Sequence, residues 1–245
     1  QHYYRICKDE KLKSDIISAL CRHADYIISK VGDGEGRRKI TETSSWWGCV
    51  NSCTILEPML ELFKETGEIR YKDFAEYIIS MGGSSDCNFL ELALENKLMP
   101  YQYPVVKAYE TMSYFEGLLA YYEITGEKKY FTAVDNFIEA VAKSDLTIIG
   151  CSGCTHELFD NSSVKQTEYA ENIMQETCVT VTLMKLCFKL LLLTGKAEYA
   201  RVIEHSALNA MFGAVNNEKQ TMKRADAMVY SSGYPEKVEH EPYPF

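Results

Sequence analysis

Two polar clusters carry residue types from which a hydrolytic or metal site can be built. The first is Gln175-Glu176-Thr177-Cys178, where a carboxylate and a thiol stand two residues apart before the apolar run Val179 to Leu193. Thiolate sulfur and carboxylate oxygen are both zinc donors, so Glu176 and Cys178 can fill half of a tetrahedral site. The same pair also suits a simple helix start, with an acid at the positive end and a buried thiol behind it. The second cluster is Cys151-Ser152-Gly153-Cys154-Thr155-His156-Glu157. A Cys-x-x-Cys with a nearby His is half a zinc site or a dithiol, but no second Cys-x-x-Cys follows and no βαβ pattern surrounds it. Glu157 lies among Gly150, Gly153, His156 and Phe159. A general acid for glycoside cleavage must hold its proton near neutrality, and an apolar neighbour such as Phe159 raises a carboxyl pKa in that sense.

Other side chains suit a sugar-binding surface. Trp46 and Trp47, the only tryptophans, follow the loop Gly32-Asp33-Gly34-Glu35-Gly36-Arg37-Arg38. They suit either an aromatic floor for a sugar ring or a hydrophobic staple at a helix start. With Lys107, Glu110 and His156 they form the candidate substrate-binding set. His23 and His205 fall on outer helices and read as structural or surface residues, and Glu61, Glu65 and Glu68 read as a solvated helix face.

The elements that must position these residues repeat along the chain. Thr66-Gly67, Thr125-Gly126 and Thr194-Gly195 each end an apolar helical run, and Tyr71, Tyr130 and Tyr199 follow four residues after each glycine. A worn copy, Tyr4 to Lys8 followed by Leu12, Ile16 and Ile17, opens the sequence. Glycine stops each first helix because it enters the left-handed conformation without a Cβ penalty. Apolar stripes such as Leu56, Met59, Leu60 and Phe63 have helical period, whereas strand signals are weak. Four such hairpins predict an all-α fold, an incomplete (α/α)6 toroid in one partial domain over 1–245. Long loops at Val31–Trp47, Gly82–Tyr103 and Asp145–Asn172 each lead from an outer helix to the next inner one. They should gather at one end of the ring and carry the site there.

Composition narrows the function classes. With 245 residues, 46% hydrophobic and 25% charged, the chain can bury a sizeable core. A net charge of −9 without a basic block argues against nucleic acid as partner. Val179 to Leu193 is interrupted by Lys185 and Lys189 and reads as a buried core helix, so no membrane role is expected. Nine cysteines, an odd number spread through helical patterns, point to a reducing, cytoplasmic setting. The sequence opens on Gln1 in mid-helix and closes on the proline-containing stretch Glu239 to Phe245, which suggests a piece of a longer protein.

Taken together, these pieces resemble glycoside hydrolase family 127, whose founding activity is β-L-arabinofuranosidase. The resemblance is sharpest over Lys107-Ala-Tyr-Glu-Thr-Met-Ser-Tyr-Phe-Glu-Gly-Leu-Leu, Gly150-Cys-Ser-Gly-Cys-Thr-His-Glu157-Leu-Phe, Glu176-Thr-Cys178 and Glu204-His-Ser-Ala-Leu-Asn-Ala. It implies a toroidal catalytic domain followed by β-sandwich domains, and a retaining mechanism with a zinc-bound cysteine thiolate as nucleophile. In that pattern Glu176 and Cys178 are zinc ligands and Glu157 is the acid/base. The family's adjacent cysteine pair, one member of which is the nucleophile, has no counterpart in these 245 residues, and no cysteine follows Cys187. The fragment alone is therefore expected to be inactive. Ser52 and Lys107 stand where members often carry a substrate-reading histidine, and the Glu157–Glu176 segment is a few residues longer than usual. The expectation is an exo-acting glycosidase on plant-type oligosaccharides. The rivals are a non-catalytic sugar- or protein-binding scaffold and another (α/α)6 carbohydrate enzyme without zinc.

Overall fold

A computed structural model describes residues 2–153, 155, 157–168, 176–214, 220–223 and 237–240. Helices dominate it. In chain order they are α1 (His2–Ile6), α2 (Glu10–Lys30), α3 (Val50–Cys53), α4 (Leu56–Thr66), α5 (Ile69–Ser80), α6 (Phe89–Glu95), α7 (Ala108–Thr125), α8 (Lys128–Ser144), α9 (Ser162–Lys165), α10 (Thr177–Thr194) and α11 (Ala197–His205). One π-helical segment, Ser206–Met211, continues α11.

The three Thr-Gly stops are built alike. Thr66, Thr125 and Thr194 each donate a hydroxyl hydrogen bond back to the carbonyl of Leu62, Tyr121 or Leu190 at 2.7–2.9 Å. The same hydroxyl oxygen accepts the N–H two residues on, from Glu68, Glu127 or Lys196. Gly67, Gly126 and Gly195 follow with φ of 68–74° and donate to Phe63, Tyr122 and Leu191 at 2.8 Å. The chain then reverses, and Tyr71, Tyr130 and Tyr199 are buried in the seam between the two helices. At the worn copy the break falls at Cys7–Asp9, where Asp9 caps α2 by accepting from Leu12 N–H at 3.0 Å.

Helix α7 packs against α4 on one side and α10 on the other, while α5, α8 and α11 each pack on their own partner. This gives an inner row α4–α7–α10 backed by an outer row, an incomplete (α/α)6 toroid. The core lies between the rows and is rich in rings: Phe115 stacks on Phe137 with centroids 3.8 Å apart, and Phe159 meets Phe137 edge-on. Gly117 lets α7 approach α4, since a Cβ there would lie 2.5 Å from Leu56. Helix α10 is long and apolar enough by composition to cross a membrane. Here it is an inner helix, with Val179, Leu183, Leu186, Cys187 and Leu190 buried in the core.

One short element joins the helices, and one expectation changes. A short antiparallel ribbon pairs Gln220–Lys223 with Lys237–His240, although neither segment has a strong strand pattern. Glu61 and Glu65 are not a free solvated face: both pair with Arg5, which ties α1 to α4, and Lys64 bridges Glu61 to Glu123 of α7.

Candidate active site

The loops that precede the inner helices are bonded to one another in sequence. Ser85 N–H donates to Gly48 O at 2.8 Å, joining the tryptophan loop to the second loop. Phe159 N–H donates to Val106 O and Ala108 N–H to Glu157 O, each at 2.8 Å, joining the second loop to the third. Glu176 N–H donates to Gly153 O at 3.1 Å, joining the third loop to the start of α10. Trp47, Lys107, Glu157 and Glu176 therefore share one end of the ring, the N-terminal end of the inner helices.

Glu176 is the N-cap of α10. Its Oε1 accepts Cys178 N–H at 3.3 Å and the Cys178 thiol at 2.7 Å. A carboxylate here is favoured by the positive end of the helix. Its backbone is pinned as well, because Thr180 donates both N–H and hydroxyl to the Glu176 carbonyl. Thr180 also accepts Ser152 N–H at 3.2 Å and contacts Cys151 Sγ at 3.0 Å, so the buried Cys151 braces the third loop against α10. Burial and the adjacent Glu176 and Glu157 push the Cys178 thiol up to about 12.

Glu157 is delivered by a left-handed backbone, φ 61°, which costs a non-glycine residue about 1–2 kcal/mol. The turn is held from both sides. Lys107 and Leu158 form an isolated antiparallel bridge. Behind it the fully buried Asp145 accepts the N–H groups of Asp160, Asn161 and Ser162 on Oδ1. Side by side on the bridge, Lys107 Nζ and the Glu157 carboxylate form an ion pair, with only 14% and 16% of the two side chains exposed. Glu110, one turn into α7, lies 4.0 Å from Lys107, and burial raises its carboxyl pKa against the pull of that lysine.

Ligand atoms of Glu157, Glu176 and Cys178 all lie within 4.8 Å of one another. The donor set fits zinc: a thiol and a carboxylate already in contact on one helix turn, with a second carboxylate in reach. It supplies at most part of a four-ligand site.

Comparison with known proteins gives this arrangement a family. The β-L-arabinofuranosidase GH127 catalytic-domain profile matches residues 1–242. The chain belongs to the GH127 catalytic-domain family. Among solved structures it resembles a GH127 β-arabinofuranosidase with TM-score 0.61 and 21% identity, over 80% of this chain and 30% of that one. A GH127 β-L-arabinofuranosidase from Geobacillus stearothermophilus T6 gives TM-score 0.55 and 19% identity, over 80% of this chain and 32% of the other. The chain thus spans about a third of the length of these GH127 enzymes. No curated protein matches it.

Of the sequence-selected residues, Lys107, Glu110, Glu157, Glu176 and Cys178 are linked by short side-chain distances into one patch. Trp46 and Trp47 sit on the neighbouring loop and are 72% and 40% exposed. His156 and Cys154 lie outside the described residues. Ser52 lies on α3, and its hydroxyl accepts from Thr43 at 2.7 Å. Asp145 and Thr180, which hold the two halves of the site, carry no motif; Asp145 reads in sequence as an ordinary acid at a helix end.

Proposed function

We propose that the protein is a retaining glycosidase acting on β-L-arabinofuranosides or similar plant-type oligosaccharides, with zinc held in part by Glu176 and Cys178. The observation that carries this reading is the meeting of Glu157, Glu176 and Cys178 at the loop end of a GH127 toroid. Zinc, when bound, supplies a Lewis acid that lowers the proton affinity of a coordinated thiol. Glu176 and Cys178 would bind it in place of the hydrogen bond they now share.

Glu157 would give its proton to the leaving glycosidic oxygen and then take one from the attacking water. Its hydrogen-bonded, left-handed turn fixes the backbone from which the carboxyl would reach for both transfers. Trp46 and Trp47 would stack on the sugar, while Lys107, Glu110 and His156 would border the substrate. The nucleophilic cysteine in this reading belongs to the adjacent pair of the family pattern, which these residues do not include.

Two measurements on the purified full-length protein test the reading. Zinc content should be near stoichiometric and should fall in Cys178→Ser. Glu157→Gln should lower kcat on an aryl β-L-arabinofuranoside by about 10²–10⁴-fold. A fully active protein without zinc, or an undiminished Glu157→Gln, would sink it.

A further inference from the structure

Glu157 poses a problem for the reading above. A metal bound by Glu176 and Cys178 would sit within a side-chain rotation of a third donor, the Glu157 carboxylate. Carboxylate is a good zinc ligand at about 2.0–2.2 Å. Once coordinated, Glu157 could no longer carry a proton to a leaving group.

We propose that Lys107 is a positioning residue that keeps Glu157 out of the metal's coordination sphere, leaving the carboxylate for the substrate. This rests on the zinc-site reading. The geometry has three parts. Lys107 and Leu158 are bridged through the backbone, and Ala108 N–H is bonded to Glu157 O, so the two side chains start from adjacent, fixed positions. Little ordering entropy is then spent in bringing ammonium and carboxylate together, unlike in a typical surface pair. Both groups are mostly buried, so salt screens their attraction weakly. Finally, Glu110 Oε2 lies 4.0 Å from the ammonium and is buried without a hydrogen-bond partner among the described residues. It offers Lys107 a second anion when Glu157 turns to the substrate. Lys107 thus acts as an internal cation that satisfies Glu157 in competition with the metal.

Cadmium binding to the purified protein tests this without reference to turnover. The probe is Cd²⁺, followed by thiolate-to-cadmium absorbance and by the cadmium NMR shift, which reports the donor set. The signal lost in Cys178→Ser belongs to this site; the remainder belongs to other thiols. Lys107→Met should tighten binding about tenfold, because a positive charge is lost and a donor gained. It should also move the cadmium resonance toward greater oxygen coordination. Adding Glu157→Gln to Lys107→Met should return both readings to their starting values, and Lys107→Arg should leave both unmoved. Lys107→Gln repeats the test should methionine disturb the fold. An unmoved resonance in both Lys107→Met and Lys107→Gln overturns the inference. So does a resonance shifted by Glu157→Gln alone, which would show Glu157 already bound to the metal. A site signal that never depends on Cys178 overturns the zinc reading, and this inference with it.

Discussion

The main-chain carbonyl of Glu157 accepts the N–H of Ala108 at 2.8 Å, so the residue that carries the candidate acid also caps helix α7. Its left-handed φ of 61° is the cost of that double duty. Replacing Glu157 by glycine and by alanine removes the same carboxylate but treats the backbone differently. Glycine relieves a strain of about 1–2 kcal/mol, offset by the roughly 0.5–1 kcal/mol it loses in chain entropy. Glu157→Gly should therefore be more stable than Glu157→Ala by about 0.5–1 kcal/mol. Urea denaturation of the two variants checks this, and a glycine variant less stable than the alanine variant would mean that the turn is unstrained.

Gly48 should tolerate no side chain. It sits between Trp47 and Cys49 in a run of three positive φ values, 49°, 57° and 64°. A Cβ there would lie 2.3 Å from Ser84 Oγ and 2.8 Å from Asp86 Oδ2. The turn is further pinned by the Cys49 thiol, which donates to Ser44 O at 2.7 Å. Gly48→Ala should cost about 2 kcal/mol or more, from a clash and a disfavoured left-handed backbone together. Because Trp46 and Trp47 are the only tryptophans, intrinsic fluorescence reads this loop directly. A shifted emission with lost stability is expected; unchanged emission would show that the loop adapts.

Much of this architecture is local and hence legible in the sequence. Thr-Gly-x-x-x-Tyr specifies a helix stop by hydrogen bonds within seven residues, so the hairpins could be read one at a time. Loop order then points to one end of the ring for the candidate site, because every long loop leads into an inner helix. The Glu176–Cys178 contact is likewise local, made across a single helix start. What sequence did not show depends on partners far along the chain. The Lys107–Glu157 pair joins residues fifty apart, so Lys107 reads as a sugar contact when its carboxylate partner is unknown. Asp145 owes its meaning to a loop that returns over it, and Glu61 owes its to Arg5 on a separate helix. The four-residue strands lack enough β-branched and aromatic residues to announce themselves.

The repeated threonine stops should make similar and separable contributions. Each hydroxyl makes one donated and one accepted hydrogen bond within its own turn, with no partner on another hairpin in these bonds. Thr66→Val and Thr125→Val keep the shape and lose both bonds, at about 1 kcal/mol each. The double variant should show the sum within about 0.5 kcal/mol. Chemical denaturation of the three proteins measures it, and a strongly non-additive result would show that the hairpins stop as one unit.

Glu116 gives a pH dependence of definite sign. It is buried on α7, with Lys185 at 3.2 Å and Lys189 at 3.7 Å from α10. Burial pushes its carboxyl above the ordinary value of 4.5; Lys189 and Lys185 oppose this, and Glu57 adds to it. The folded state therefore holds the Glu116 proton more tightly than the unfolded state. Its contribution to stability is full below about 4.5 and is lost as pH rises through the higher folded value. Glu116→Gln cannot ionise and lacks that loss. The difference in urea midpoint, wild type minus variant, should fall as pH is raised from about 4 toward neutrality. A difference that grows over the same range would mean that the two lysines outweigh burial and hold Glu116 as the anion.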